Sequence, residues 1–145
     1  RRAENYPEIL DALHQRWGGR QDKNHNHSDL MVHYLDSFDN VTVLEQMTFM
    51  AKVDLLVGPH GAQLITLPFL PECGGLLEFF PEGYNMEHFF GTLATATGHF
   101  HFTIDTGHPP HRVPDAPYGG MFKLEHARGN SANANPAVVV DAVEK

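Results

Sequence analysis

The sequence predicts an α/β fold, a parallel sheet covered by helices on both faces. The first observation behind this is order: segments with helical apolar spacing alternate with short apolar runs along the chain. Second, most of the connections are short and marked by Gly or Pro. Third, Val53 to Leu64 reads as a buried strand that runs into a Gly-Pro-His-Gly-Ala turn and then opens a helix. With 145 residues, a single domain is expected.

The elements follow in order. Tyr6 to Trp17 places Ile9, Leu10, Leu13 and Trp17 on one helical face, with Pro7 in the first turn and Gly18-Gly19 at the end. Arg20 to Asp29 is a polar loop carrying Asn24-His25-Asn26-His27, and Leu30 to Leu35 fits a short strand. Thr42 to Lys52 reads as a helix with Val43, Met47, Phe49 and Met50 inward. Thr42 and Glu45 have the spacing of a capping box. A strand is expected at Asp54 to Val57, then a helix from about Ala62 to Leu67 that stops near Pro68. Gly75 to Phe80 is a strand ended by Pro81. Asn85 to Thr97 is a helix with Met86, Phe89, Phe90, Leu93 and Ala94 inward, closed by Gly98. His99 to Ile104 is a strand, and Ala137 to Val143 a terminal helix with Pro136 at its start. The expected organisation is one domain over 1–105, an irregular Pro-, Gly- and Asn-rich segment over 106–135, and a helix of the same domain over 136–145.

Composition narrows the function. Hydrophobic content of 41% and charged content of 19% describe a globular chain. A net charge of -8 argues against nucleic-acid binding through bulk electrostatics. A small anionic ligand is still compatible, since a local dipole and one or two cations hold it against an acidic background. Cys73 is the only cysteine, so no intrachain disulfide forms. No apolar run has the length of a membrane span, and the opening Arg1-Arg2 reads as a piece of something longer.

The Val53-to-Leu64 segment carries the first functional reading. A strand that feeds a Gly-containing turn and a helix leaves the first helical N–H groups unpaired, at the positive end of the helix dipole. That arrangement suits phosphate, with His60 at its mouth to hydrogen-bond or charge-pair with an anion. The same pattern also describes an ordinary strand-to-helix turn. In open parallel sheets ligands bind beyond the carboxyl ends of the strands, where this turn, Phe80 to Tyr84 and Asp105 to His108 all lie.

Glu45-Gln46, then Val53-Asp54-Leu55-Leu56-Val57-Gly58-Pro59-His60-Gly61-Ala62, then Phe69-Leu70-Pro71, then Leu77-Glu78-Phe79-Phe80-Pro81 together resemble glycosyltransferase family 61. This family includes plant xylosyl- and arabinosyltransferases and animal O-linked N-acetylglucosaminyltransferases. Arg1-Arg2 with Asn5 is similar to its Arg-rich segment, so the resemblance runs from about Arg1 to Asp105. Gln63 stands where many members have Gly.

The resemblance implies a GT-B architecture of two Rossmann-like domains, with this chain as most of the C-terminal, donor-binding one. The N-terminal domain would then lie outside the chain. It further implies an inverting transferase that moves a sugar from a UDP-sugar, or related nucleotide sugar, to a hydroxyl of a glycan or glycoprotein. No cofactor and no metal are expected, and Asp36-Ser37-Phe38-Asp39 does not have Asp-x-Asp spacing. A eukaryotic parent would work in the lumen of the Golgi or endoplasmic reticulum. This fragment alone is expected to bind UDP weakly and to be inactive.

Transfer without a metal must neutralise the departing diphosphate with N–H groups, a dipole, Arg and His. His60, Gly61, Ala62, Arg1 and Arg2 are the candidates for that task. Arg1 and Arg2 read equally well as a solvated terminus. Glu78 is the candidate for the ribose hydroxyls, or else an outward-facing strand residue. Gln46, Pro81 and Tyr84 complete the nucleotide-binding set, and Tyr84 reads also as a packed aromatic. No catalytic base is assigned, because it can belong to the other domain.

Two other functions compete. One is a Rossmann-like module that holds a nucleotide or a partner without chemistry. The other is a His-rich metal domain, suggested by 11 His residues including the pairs His25/His27, His99/His101 and His108/His111. The metal function lacks a companion Cys pair or a His-Glu-x-x-His helix.

Overall fold

Three apolar runs pair side by side. Leu55–Pro59 (β1), Gly75–Phe79 (β2) and Phe100–Ile104 (β3) form a parallel sheet in the order β1-β2-β3. The computed structural model describes residues 3–17, 31–81, 84, 86–104 and 132–144. Leu55 lies opposite Gly75, and Gly75 opposite Phe100, so all three strands start level. Parallel neighbours need a crossover between them. A 3-10 helix, Ala62–Phe69, makes the first, and α3, Glu87–Thr97, makes the second. The helices α1 (Tyr6–Trp17) and α2 (Val43–Met50) precede the sheet, and α4 (Pro136–Val143) follows it. This is the α/β class expected, with a parallel sheet between helices, in keeping with a Rossmann-like fold.

Side-chain alternation divides the core in two. Leu77, Phe79 and Ile104 bury one face of the sheet against Ile9, Leu13 and Val139, from α1 and α4. Leu76 buries the opposite face with Met50, Leu64, Leu67, Leu70, Phe90 and Ala94. Every residue of β2 is buried, as the middle strand of a sheet covered on both sides requires. Ile9 and Leu13 are one helical turn apart, which places both on the sheet-facing side of α1. The start of α1 is tied to the approach of α4: Asn133 Oδ1 accepts from the N–H groups of Glu4 and Asn5, and Asn5 Nδ2 donates to the Ala134 carbonyl at 2.8 Å.

The helix ends have the expected chemistry. Thr42 Oγ1 accepts from the Glu45 N–H, and the Glu45 carboxylate accepts from the Thr42 N–H at 2.9 Å, a complete capping box. Hydrogen bonds from the Thr42 hydroxyl, and then from its N–H, hold the Glu45 carboxyl below its ordinary value. Gly98 closes α3 in the left-handed region at φ 75°, where a residue without Cβ carries no strain. Asn135 caps α4 and Pro136 occupies its first turn.

Four expectations are corrected. Residues 31–35 form no strand: Tyr34 stacks on Tyr6 at 4.5 Å and Val32 packs against the α1 cluster, so side chains rather than ladder bonds hold the segment. The helix at Ala62 is 3-10 rather than α, in keeping with Pro68 inside it, which has no N–H to give. Of the four α2 residues placed inward, only Met50 is buried. Val43, Met47 and Phe49 are exposed, because α2 rests on the 3-10 helix by its last turn. In α3, Phe90 and Ala94 are buried and Leu93 partly so, while Met86 and Phe89 face outward. The strand β1 also extends to Pro59, which an edge strand tolerates. The loops at 20–29 and 106–131 lie outside the described residues.

Leu67→Ala, at a side chain with no exposure, is expected to lower unfolding stability by about 3 kcal/mol in urea titration. Ile65→Ala, on the exposed side of the same helix, is expected to change it by less than about 0.5 kcal/mol. Because the Glu45 carboxyl is lowered in the folded chain, its cap contributes fully above the ordinary glutamate range. That contribution is lost as pH falls through the lowered value. A carboxyl-carbon NMR titration checks this, since a Glu45 midpoint at the ordinary value contradicts it.

Candidate functional site

The site forms where β1 leaves the sheet. His60 follows Pro59, and its N–H donates to the Phe79 carbonyl of β2 at 2.8 Å. Gly61 continues in extended backbone, and Ala62 begins the 3-10 helix. The turn therefore lies at the carboxyl end of a parallel strand, the position at which open α/β sheets bind ligands.

The His60 ring is turned into the protein, away from the mouth at which it was expected. Only 8% of the residue is exposed, and its Nδ1 lies 2.5 Å from Glu78 Oε1. Phe80, Tyr84, Phe89 and Phe90 surround the ring with centroids between 5.1 and 6.0 Å. Glu78 has no exposure at all, and its second oxygen, Oε2, lies 2.8 Å from Nε2 of His101 on β3. One buried carboxylate thus bridges two imidazoles. A charge in that position is tolerated only with paired, hydrogen-bonded neighbours, and such charge-assisted bonds are short. An ionised carboxylate only accepts, so an ionised Glu78 would require a proton on each facing nitrogen, Nδ1 of His60 and Nε2 of His101.

On the other side of the turn is an open cleft of about 280 Å³ against the outer edge of β1. Tyr6, Val32, Tyr34, Val57, Gly61 and Ala62 are among its lining residues, and most of its wall is apolar. His60 and Glu78 do not line it. Gly61 and Ala62 therefore border open space, while His60 anchors the turn from beneath.

The remaining candidates are dispersed. Gln46 folds back to the residue before its helix cap, with Nε2 donating to the Val41 carbonyl at 2.9 Å, and it does not line the cleft. Pro81 is fully buried after β2, and the Tyr84 N–H donates to its carbonyl. Tyr84 is half-buried with its ring centroid 5.1 Å from that of His60. Arg1 and Arg2 lie outside the described residues. So do His25, His27, His108 and His111. Glu78 faces inward rather than outward, and both of its oxygens are engaged by histidines. His99 turns to Thr97 Oγ1 and the Leu70 carbonyl, whereas His101 turns to Glu78. Among the described residues no group of three or more His, Cys, Asp or Glu side chains is arranged to hold a metal ion. Among the same residues no helix is long and apolar enough to cross a membrane.

The sequence pattern presents His101 only as one of a His pair. The signal for its role was present: a carboxylate inside Leu77-Glu78-Phe79 on a middle strand must have donors, and His101 shares its face on the adjacent strand. Gly91 completes the set, because a Cβ there would stand 2.9 Å from His101 Nδ1.

A parallel sheet flanked by helices, with a Gly-containing turn at a strand's carboxyl end, is in keeping with a Rossmann-like α/β fold. The sequence profile of the family described as glycosyltransferase 61 matches residues 1–77. The chain belongs to glycosyltransferase family 61. It is similar to protein O-linked-mannose beta-1,4-N-acetylglucosaminyltransferase 2 of Mus musculus, 36% identical over 84 residues, which is 50% of this chain and 14% of the mouse protein. The protein of the same description in Danio rerio is 39% identical over 64 residues, 43% of this chain and 10% of the relative. That of Homo sapiens is 34% identical over 84 residues, 50% and 14%. The chain thus spans about a tenth to a seventh of the length of these curated relatives.

Glu78→Leu leaves two buried imidazoles without their acceptor and is expected to cost about 3 kcal/mol in urea unfolding. Glu78→Gln, which keeps an oxygen for one ring, is expected to cost less. Equal and small losses for both variants would contradict the bridge.

Proposed function

We propose that this chain is the donor-binding part of an inverting glycosyltransferase with two Rossmann-like domains in the GT-B arrangement. The full protein would bind a UDP-sugar and transfer its sugar to a hydroxyl of a glycan or glycoprotein. The observation that carries the reading is the turn His60-Gly61-Ala62, standing at the carboxyl end of β1 inside the region matched to the family. The relatives named above, described as N-acetylglucosaminyltransferases acting on O-linked mannose, support the reaction class.

In this proposal the N–H groups of Gly61 and Ala62 face the diphosphate, and the small side chains let it approach. His60 fixes the turn from the protein side, and Tyr84 packs on His60. Arg1 and Arg2 supply fixed positive charge through fork-shaped guanidinium groups suited to phosphate. Charge neutralisation by N–H groups and arginine serves the leaving diphosphate without a metal. The catalytic base and much of the acceptor site belong to the other domain. A eukaryotic parent would act in the Golgi or endoplasmic reticulum lumen.

The chain alone is expected to bind UDP weakly and to release none from a UDP-sugar. Gly61→Val places bulk at the turn with a backbone conformation, φ 175°, that any residue adopts. It is expected to weaken UDP binding at least about tenfold by calorimetry with little change in unfolding midpoint, the loss of about one well-placed hydrogen bond or more. Unchanged affinity would remove the turn from the donor site. UDP release by a protein extended to the length of its relatives, assayed with mannose-bearing acceptors, tests the reaction itself.

A further inference from the structure

We infer that His101 is a positioning residue for the turn at 60–62, acting through Glu78. The turn is fastened to β2 at two successive residues. The His60 N–H donates to the Phe79 carbonyl, and the His60 ring bonds to the Glu78 carboxylate. The second fastening holds only while Glu78 keeps one rotamer. Glu78 stands on the sheet's helix α3 side, sharing that face with Leu76, and its Oε2 would otherwise be a buried acceptor with no donor. His101, on the neighbouring strand, supplies that donor at 2.8 Å. The His101 ring reaches it because α3 carries Gly91 at the point of contact, where a methyl group would come within 2.9 Å of Nδ1. The chain of contacts therefore runs Gly91, His101, Glu78, His60, and ends on the backbone of Gly61.

The arrangement sets the proton positions as well as the distances. With Glu78 accepting from both sides, His60 is the Nδ1–H form and His101 has a proton on Nε2. Truncating His101 releases Oε2 and removes the contact that fixes the carboxylate rotamer against the His60 ring. Its consequence for ligand affinity rests on the donor-site reading above; the effect on His60 does not.

The test uses the chain labelled with 15N-histidine, in three variants: His101→Leu, His101→Gln and Gly91→Ala. Long-range 1H-15N spectra of the wild type are expected to show His60 protonated at Nδ1. His101→Leu is expected to shift the His60 ring-nitrogen signals away from their wild-type positions and to weaken UDP binding about tenfold, the worth of one hydrogen bond to a charged group. His101→Gln, whose amide can donate to Oε2, is expected to restore both readouts in large part. Gly91→Ala, which keeps every polar group and displaces only the ring, is expected to move the His60 signals in the same direction as His101→Leu. An Nε2–H form of His60 in the wild type overturns the inference. So do His60 signals that ignore folded His101→Leu, and, should that variant not fold, signals that ignore Gly91→Ala. If the wild type binds no UDP, the donor-site reading falls, and the tautomer spectra still decide the role of His101.

Discussion

Glu78 stands on the middle strand with no contact to solvent, and a carboxylate in that position must find every donor inside the fold. The requirement organises its surroundings. It calls for one histidine at the end of β1 and another on β3, both on the face that α3 covers. It also calls for a small residue on α3, so that the second ring can approach. The buried aromatic side chains of Phe80 and Phe90 then cover the His60 ring. What looks like a ligand-facing histidine in the motif is, in three dimensions, the member of a buried polar network that joins all three strands.

This changes how the motif works. Under the proposed donor-site reading, the turn approaches phosphate with its backbone, and the side chain of the preceding residue is free to take another task. Here that task is anchorage: His60 points inward, while Gly61 and Ala62 border the open cleft. A backbone site has no reach of its own, so its precision comes from whatever immobilises the turn. Two successive residues of β2, the most buried of the described strands, perform that function.

Much of the fold was legible in the residues, and the misses have physical causes. The bounds of α1, the Thr42–Glu45 box, the Gly98 stop and the Pro136 start depend on local chemistry, which a sequence carries openly. Residues 31–35 have the apolar content of a strand, but pairing needs a neighbour's free edge, and composition does not report one. The exposure of Val43, Met47 and Phe49 reflects where α2 rests, which helical spacing alone cannot reveal. At the site, the turn and its place at a strand's end were read correctly from order. The inward rotation of His60 was not, because it depends on a residue eighteen positions away in the chain. Glu78 is read from the sequence as a ribose ligand or an outward-facing strand residue, and its inward position follows from the strand order, which places β2 in the middle.

The all-parallel topology also constrains how the molecule assembles. Leu55 meets Gly75, and Gly75 meets Phe100, so each pairing closes a loop that contains a whole helix. No hairpin can seed such a sheet, and folding must meet the loop-closure entropy before the pairing repays it. Glu78 sharpens the effect. With β2 and only one neighbour in place, the carboxylate would have one donor and would hold water at the sheet's centre. Its dehydration is complete only with the partners from both flanking sides in place, which couples the three strands energetically.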